Sequence, residues 1–195
     1  MLEKSMEKAA LLIVDLQNDF CPGGTLPVPE GDEIVPVINR YMRRFRAPKR
    51  PIYASRDWHH PQTNHFQEYG GLWPTHCVQN TRGAEFHPNF DLPNDAIIIS
   101  KGMELEGDSY SCFQACDLDC ILLVDSLRCR KIEHLWVGGL ASDYCVKETV
   151  LDALSNGFHV ILLIDAIRGV SLQSHDAEKA IETMVRAGAE AIALE

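Results

Sequence analysis

Short runs rich in valine, isoleucine and leucine recur along this chain, and each is apolar throughout rather than at every second position. A strand with one wet face alternates, whereas a strand buried on both faces does not, and burial on both faces is the habit of parallel sheets. Such runs predict strands over residues 11–16, 51–56, 96–101, 134–139, 159–165 and 191–194. Between several of them lie stretches of helical period. "DEIVPVINRYMRRF" follows Gly31 with acids in its first turn, and "SDYCVKETVLDALSNG" offers a Ser or Asp cap and a terminal Gly157. "SHDAEKAIETMVRAG" repeats that grammar and closes on Gly188. The alternation predicts an α/β fold, a doubly wound and mainly parallel central sheet flanked by helices on both faces in a three-layer sandwich. At 195 residues, the whole chain 1–195 is expected to form one domain.

Charge narrows the partners. A net charge of −10 argues against nucleic acid and anionic membrane surfaces. The opening "MLEKSMEKAA" mixes charges of both signs and does not read as a signal peptide. The longest apolar runs, "ALLIVDL" and "HVILLIDAI", are strand-length and carry acids, so no span is expected. Seven cysteines without a framework spacing suit reduced thiols and a cytoplasmic location. Cys112, Cys116 and Cys120 in "CFQACDLDC" recur every four residues, which would set them along one helix face. That spacing fits no common iron–sulfur pattern, and packing is the role expected of them.

In open parallel sheets, ligands bind beyond the carboxyl ends of the strands. Asp15 ends the first strand, Asp57 the second and Lys101 the third, and "LWVGGLASDYC" runs from the fourth into a helix whose first turn holds Cys145. Each residue alone has an ordinary reading: a loop cap, a solvated lysine, a small buried hydrophobe. Their convergence on one sheet edge points to chemistry. A thiol at a helix N-terminus beside a lysine is expected to have a lowered pKa. Asp15 can take its proton, and the "GGLASDYC" turn supplies backbone N–H groups for an oxyanion.

The segments 20–29 and 57–95 are loop-rich, and long loops in compact domains are usually functional. In "DWHHPQTNH", Asp57, His59 and His65 form Asp-x-His followed by a further His, and His76 in "WPTHC" can join them. A mixed N/O set suits zinc, iron or manganese; the ordinary alternative is a histidine-rich surface loop.

Taken in order, "LLIVDLQNDFCPGG", "DWHHPQTNHF", "LWPTHCVQNTRGAEFHP", "ISKG" and "VGGLASDYCVKETVLDA" resemble the nicotinamidase/pyrazinamidase branch of the isochorismatase-like cysteine hydrolases. The resemblance implies a triad of Asp15, Lys101 and Cys145 and one divalent metal on Asp57, His59, His65 and His76, with zinc first and iron or manganese otherwise. It implies a cis peptide at Leu140–Ala141, with the Ala141 and Cys145 N–H groups facing the oxyanion. Phe20 and Trp73 would sandwich the substrate ring, with Leu140 and Tyr144 beside them in the pocket. The implied reaction is deamidation of nicotinamide, and of pyrazinamide, through a cysteine thioester, the metal anchoring the pyridine nitrogen. The acidic segment "GMELEGDSYSCF" varies in such enzymes and leaves one pocket wall open. A small-molecule amide is then the partner, and a homo-oligomer is compatible with the sequence.

Three other readings compete. One is an amidohydrolase for a different small amide. The second is a metallohydrolase in which Cys145 is structural. The third is a non-catalytic binding protein on the same fold.

Overall fold

The computed structural model describes residues 6–46, 49–107 and 109–194, so the first five residues of "MLEKSMEKAA" lie outside it. Strands β1 (Ala9–Val14), β2 (Ile52–Asp57), β3 (Ile97–Lys101), β4 (His134–Leu140), β5 (His159–Arg168) and β6 (Glu190–Ile192) form one sheet. Its order is β3-β2-β1-β4-β5-β6, and every pairing is parallel. The helices are α1 (Val35–Arg46), α2 (Leu123–Cys129), α3 (Cys145–Ser155) and α4 (Asp176–Ala187).

β1 shows why its sequence is apolar throughout. Successive side chains point to opposite faces of a strand. Leu11 and Ile13 enter one core with Ile38, Tyr41 and Phe45 of α1. Leu12 and Val14 enter the other with Leu127 of α2, Val146 and Val150 of α3, and Met184 of α4. Both faces are covered, as the continuous apolar runs predict. The strand order reverses between β1 and β4, and a crevice forms beyond the carboxyl ends of strands at such a point. Gly139 lets the two strands close up there: its φ is +123°, and a Cβ would stand 2.1 Å from the Val14 carbonyl oxygen. Among the described residues, no helix is long and apolar enough to cross a membrane.

Several local expectations need correction. α3 begins at Cys145 without a side-chain cap. The Asp143 carboxylate instead accepts the N–H groups of Val170 (2.9 Å) and Ser171 (2.7 Å), tying down the loop after β5. Ser142 gives its N–H to the Arg168 carbonyl at 2.8 Å. The short α2 went unpredicted, because "ILLVDSLRC" is apolar on too many sides to show a helical period. The cysteine trio does not share a helix face. Cys112 is the buried first residue of a 3-10 turn, Cys116 pairs with Ser100 of β3, and Cys120 sits in an exposed turn.

Candidate active site

The carboxyl ends of β1 to β4 each deliver one group to the crevice. Asp15 follows β1, Asp57 ends β2, Lys101 ends β3, and Cys145 opens α3 after β4. Asp57 and Lys101 are register partners across the parallel ladder. The Lys101 Nζ lies 2.9 Å from Asp15 Oδ2 and 3.4 Å from Cys145 Sγ, and it donates to Asp57 Oδ1. All four side chains are buried. Oxygens of the two aspartates and the Cys145 sulfur lie within 4.8 Å of one another.

Burial pushes the Asp15 carboxyl up; Lys101 pulls it back, Asp57 pushes it up again, and the net direction is upward. Burial also works against charge on Asp57, but Lys101 and then His59 outweigh it and hold that carboxyl below its ordinary range. Lys101 is disfavoured as a cation by burial, yet Asp15 and Asp57 together raise it well above its ordinary value. The thiol contradicts the sequence-based expectation. Burial drives Cys145 well above a normal cysteine, Lys101 counters, and Asp15 and Asp57 add to the rise. The resting thiol is therefore protonated, and the carboxyl best placed to receive its proton is Asp15.

Beside this cluster, His59, His65 and His76 bring ring nitrogens within 4.8 Å of one another, all three buried. The His59 Nδ1 is 3.1 Å from the Gly102 carbonyl oxygen, which can only accept, so Nδ1 carries the proton. Its Nε2 is buried without a hydrogen-bond partner, 3.6 Å from Asp57 Oδ2. His76 repeats the arrangement, giving Nδ1–H to the Pro74 carbonyl at 2.7 Å. Burial pushes its pKa down to about 4, so the ring is neutral. Imidazoles with one nitrogen fixed by a carbonyl, next to an ionised carboxylate, are the donor set a divalent cation takes. The residues fit a metal.

Contacts that local sequence did not reveal hold both halves in place. Ser55 donates Oγ to Asp15 Oδ1 at 2.7 Å, and it shares a strand face with Asp57 through the period of two. The Gln17 amide clamps the Asp57 main chain, accepting its N–H at 2.8 Å and donating to its carbonyl at 2.8 Å. Asp19 accepts the Cys77 N–H at 2.7 Å and so fixes the loop carrying His76.

Beside the histidine cluster and Cys145, a cleft is lined by Phe20, Val28, Trp73, Tyr110, Ala141 and Tyr144. The Phe20 ring stands 5.5 Å from that of His76, and Trp73 meets Tyr144 edge-on at 4.9 Å. Tyr110, from the acidic segment left open by the sequence, accepts the Trp73 indole N–H at 2.9 Å and completes that wall. Leu140 does not line the cleft but is buried in the core behind it. The Leu140–Ala141 peptide is cis.

Residues 9–195 match the isochorismatase domain. The chain belongs to the isochorismatase family. A nicotinamidase of Escherichia coli (strain K12) is 42% identical to it, across 94% of this chain and 94% of the relative. The pyrazinamidase of Pyrococcus horikoshii, solved in complex with zinc, is 46% identical with a TM-score of 0.88, covering 96% of this chain and 99% of that one. A protein of L. infantum solved with nicotinate is 31% identical with a TM-score of 0.84, covering 95% and 92%.

In this isochorismatase-family chain the histidine cluster depends on a glycine. Gly102 has φ +68°, and a Cβ there would stand 2.5 Å from the His59 ring. Gly102→Ala is expected to displace that ring and weaken affinity for a divalent metal by about tenfold or more, within the loss known for disturbed outer-shell partners. Metal titration of the purified variant against the wild type checks it, and an unchanged affinity would show that His59 is not held this way.

Proposed function

We propose that this protein is a nicotinamidase, a cysteine amidohydrolase that converts nicotinamide to nicotinate and ammonia and also accepts pyrazinamide. One observation carries the reading: a single buried ammonium, Lys101, contacts Asp15, Cys145 and Asp57, and Asp57 also faces the histidine cluster beneath an aromatic cleft. The kinship to a nicotinamidase and to a zinc-bound pyrazinamidase supports it. A divalent metal held by Asp57, His59, His65 and His76, with zinc first and iron or manganese as alternatives, supplies a Lewis-acidic anchor for the pyridine nitrogen.

Phe20 and Trp73 flank the ring and hold the carboxamide over Cys145, with Tyr144 at the side; Leu140 shapes the pocket from behind. Asp15 takes the thiol proton as Sγ attacks the carboxamide carbon. Charge growing on the carbonyl oxygen is received by the N–H groups of Ala141 and Cys145. Lys101 keeps its charge throughout and stabilises the thiolate that forms beside it. Asp15 then returns the proton to the amide nitrogen, and ammonia leaves a nicotinoyl thioester on Cys145. Asp15 next deprotonates a water, which attacks the thioester, and nicotinate departs as the thiol regains its proton. The expected compartment is the cytoplasm, where thiols are kept reduced.

The reduced, metal-replete protein is expected to release ammonia from nicotinamide and pyrazinamide without a nucleotide cofactor. Brief exposure to nicotinamide followed by mass spectrometry should show an acyl group on Cys145. No ammonia from either amide would overturn the activity, and turnover without any adduct on Cys145 would overturn the mechanism.

A further inference from the structure

The proposed reaction uses one cysteine of seven, and two of the others flank one surface turn. After pairing with β3 at Ser100, the chain folds back on itself, so that Cys116 stands opposite Leu122 in an antiparallel bridge. The Cys120 N–H bonds the Asp117 carbonyl at 3.0 Å, and the Asp117 N–H bonds the Ile121 carbonyl at 3.0 Å. Asp117 Oδ1 pins the turn from within, accepting the N–H groups of Asp119 and Ile121, each at 2.9 Å.

This geometry puts Cys120 in the left-handed region, φ 61°, at the turn position that glycine or asparagine favours. A cysteine there is locally strained and gains no burial in return, since Cys120 is exposed. What it does gain is a neighbour. Cys116 is half-buried, and the turn from Asp117 to Ile121 folds Cys120 back toward it, near enough that Cys120 adds to burial in raising the Cys116 thiol. Cys116 is also rigidly presented, its N–H and carbonyl both paired with Ser100 at 3.2 and 2.8 Å. Leu118 at the tip is 86% exposed, so solvent reaches the turn freely.

We propose that Cys116 and Cys120 form a dithiol modification site that closes to a disulfide by exchange with a low-molecular-weight disulfide such as oxidised glutathione. The exposed Cys120 thiol gives up its proton and attacks one glutathione sulfur, forming a mixed disulfide, and the released glutathione thiolate takes up that proton from water. Cys116 then loses its proton and attacks the Cys120 sulfur, and the second glutathione leaves as a thiol. Two protein thiols are oxidised, one disulfide reagent is reduced, and one S–S bond forms within the turn.

The test is incubation of the reduced full-length protein with oxidised glutathione, alkylation of remaining thiols, and mass mapping of the peptide between Lys101 and Arg128. The wild type should lose two alkylatable thiols, at Cys116 and Cys120, and the peptide should be lighter by two hydrogens with no glutathione attached. Cys116→Ser should trap glutathione on Cys120, whereas Cys120→Ser should leave Cys116 alkylatable. A stable glutathione adduct on Cys120 of the wild type, or both thiols remaining free, would overturn the proposal. None of these readouts depends on amidase activity.

Discussion

Cys145→Ala is expected to end turnover of nicotinamide, with a loss on the order of 10⁶-fold, the scale seen when a covalent catalyst loses its nucleophile. Folding and metal content should be nearly unchanged. Cys145 is the buried first residue of α3, and alanine keeps the helix while removing one sulfur. Ammonia release, circular dichroism and elemental analysis together check this outcome. Substantial residual activity would move the bond-forming step away from the thiol. Asp15→Asn keeps the shape and removes the base, so a loss of roughly 10² to 10⁴-fold is expected. Lys101→Ala is a poorer probe of chemistry. Lys101 is the cation between two buried carboxylates, and removing one partner of a buried charge group costs about 3–5 kcal/mol. That variant should lose stability along with activity, and its melting temperature has to be read before its rate.

The contrast among these residues shows what a sequence can and cannot carry. Asp15, Asp57, Lys101 and Cys145 were legible because each ends a strand or opens a helix, and strand ends in a parallel sheet share one edge. The sheet itself was legible from the unbroken apolar runs, down to the two cores that β1 separates. The direction of the Cys145 pKa was not. A helix N-terminus and a lysine both favour thiolate, but the balance turns on how deeply the thiol is buried and on a second carboxylate from β2. Those quantities exist only once the chain is folded. Ser55, Gln17 and Tyr110 were missed for a related reason: each reaches a site residue about 40 positions away. The cysteine trio failed differently. A spacing of four suggests a helix, but the Asp117 side chain offers the backbone a turn instead.

Removing the metal is expected to divide the site's two tasks, and Asp57 decides how cleanly. If the metal only anchors the pyridine nitrogen, the metal-free enzyme should lose roughly 100-fold or more on nicotinamide, the scale of a misplaced substrate. An activated ester that needs no ring anchor should still acylate Cys145, and benzamide, which lacks the ring nitrogen, should gain little from added metal. Asp57 complicates this, because one of its oxygens receives Lys101 and the other faces His59. Substituting Asp57 therefore disturbs the cation beside the thiol as well as the proposed metal site, and Asp57→Ala should lose both nicotinamide turnover and ester acylation. His65 belongs to the histidine group and not to the group formed by Asp15, Asp57 and Cys145. His65→Ala should weaken nicotinamide binding and metal retention while ester acylation continues. Acylation rates of the metal-free wild type and of these two variants, followed by mass spectrometry, separate the cases. Failure of the folded metal-free enzyme to acylate at all would mean that the metal builds the nucleophile's surroundings, through its grip on Asp57, and does not merely hold the ring.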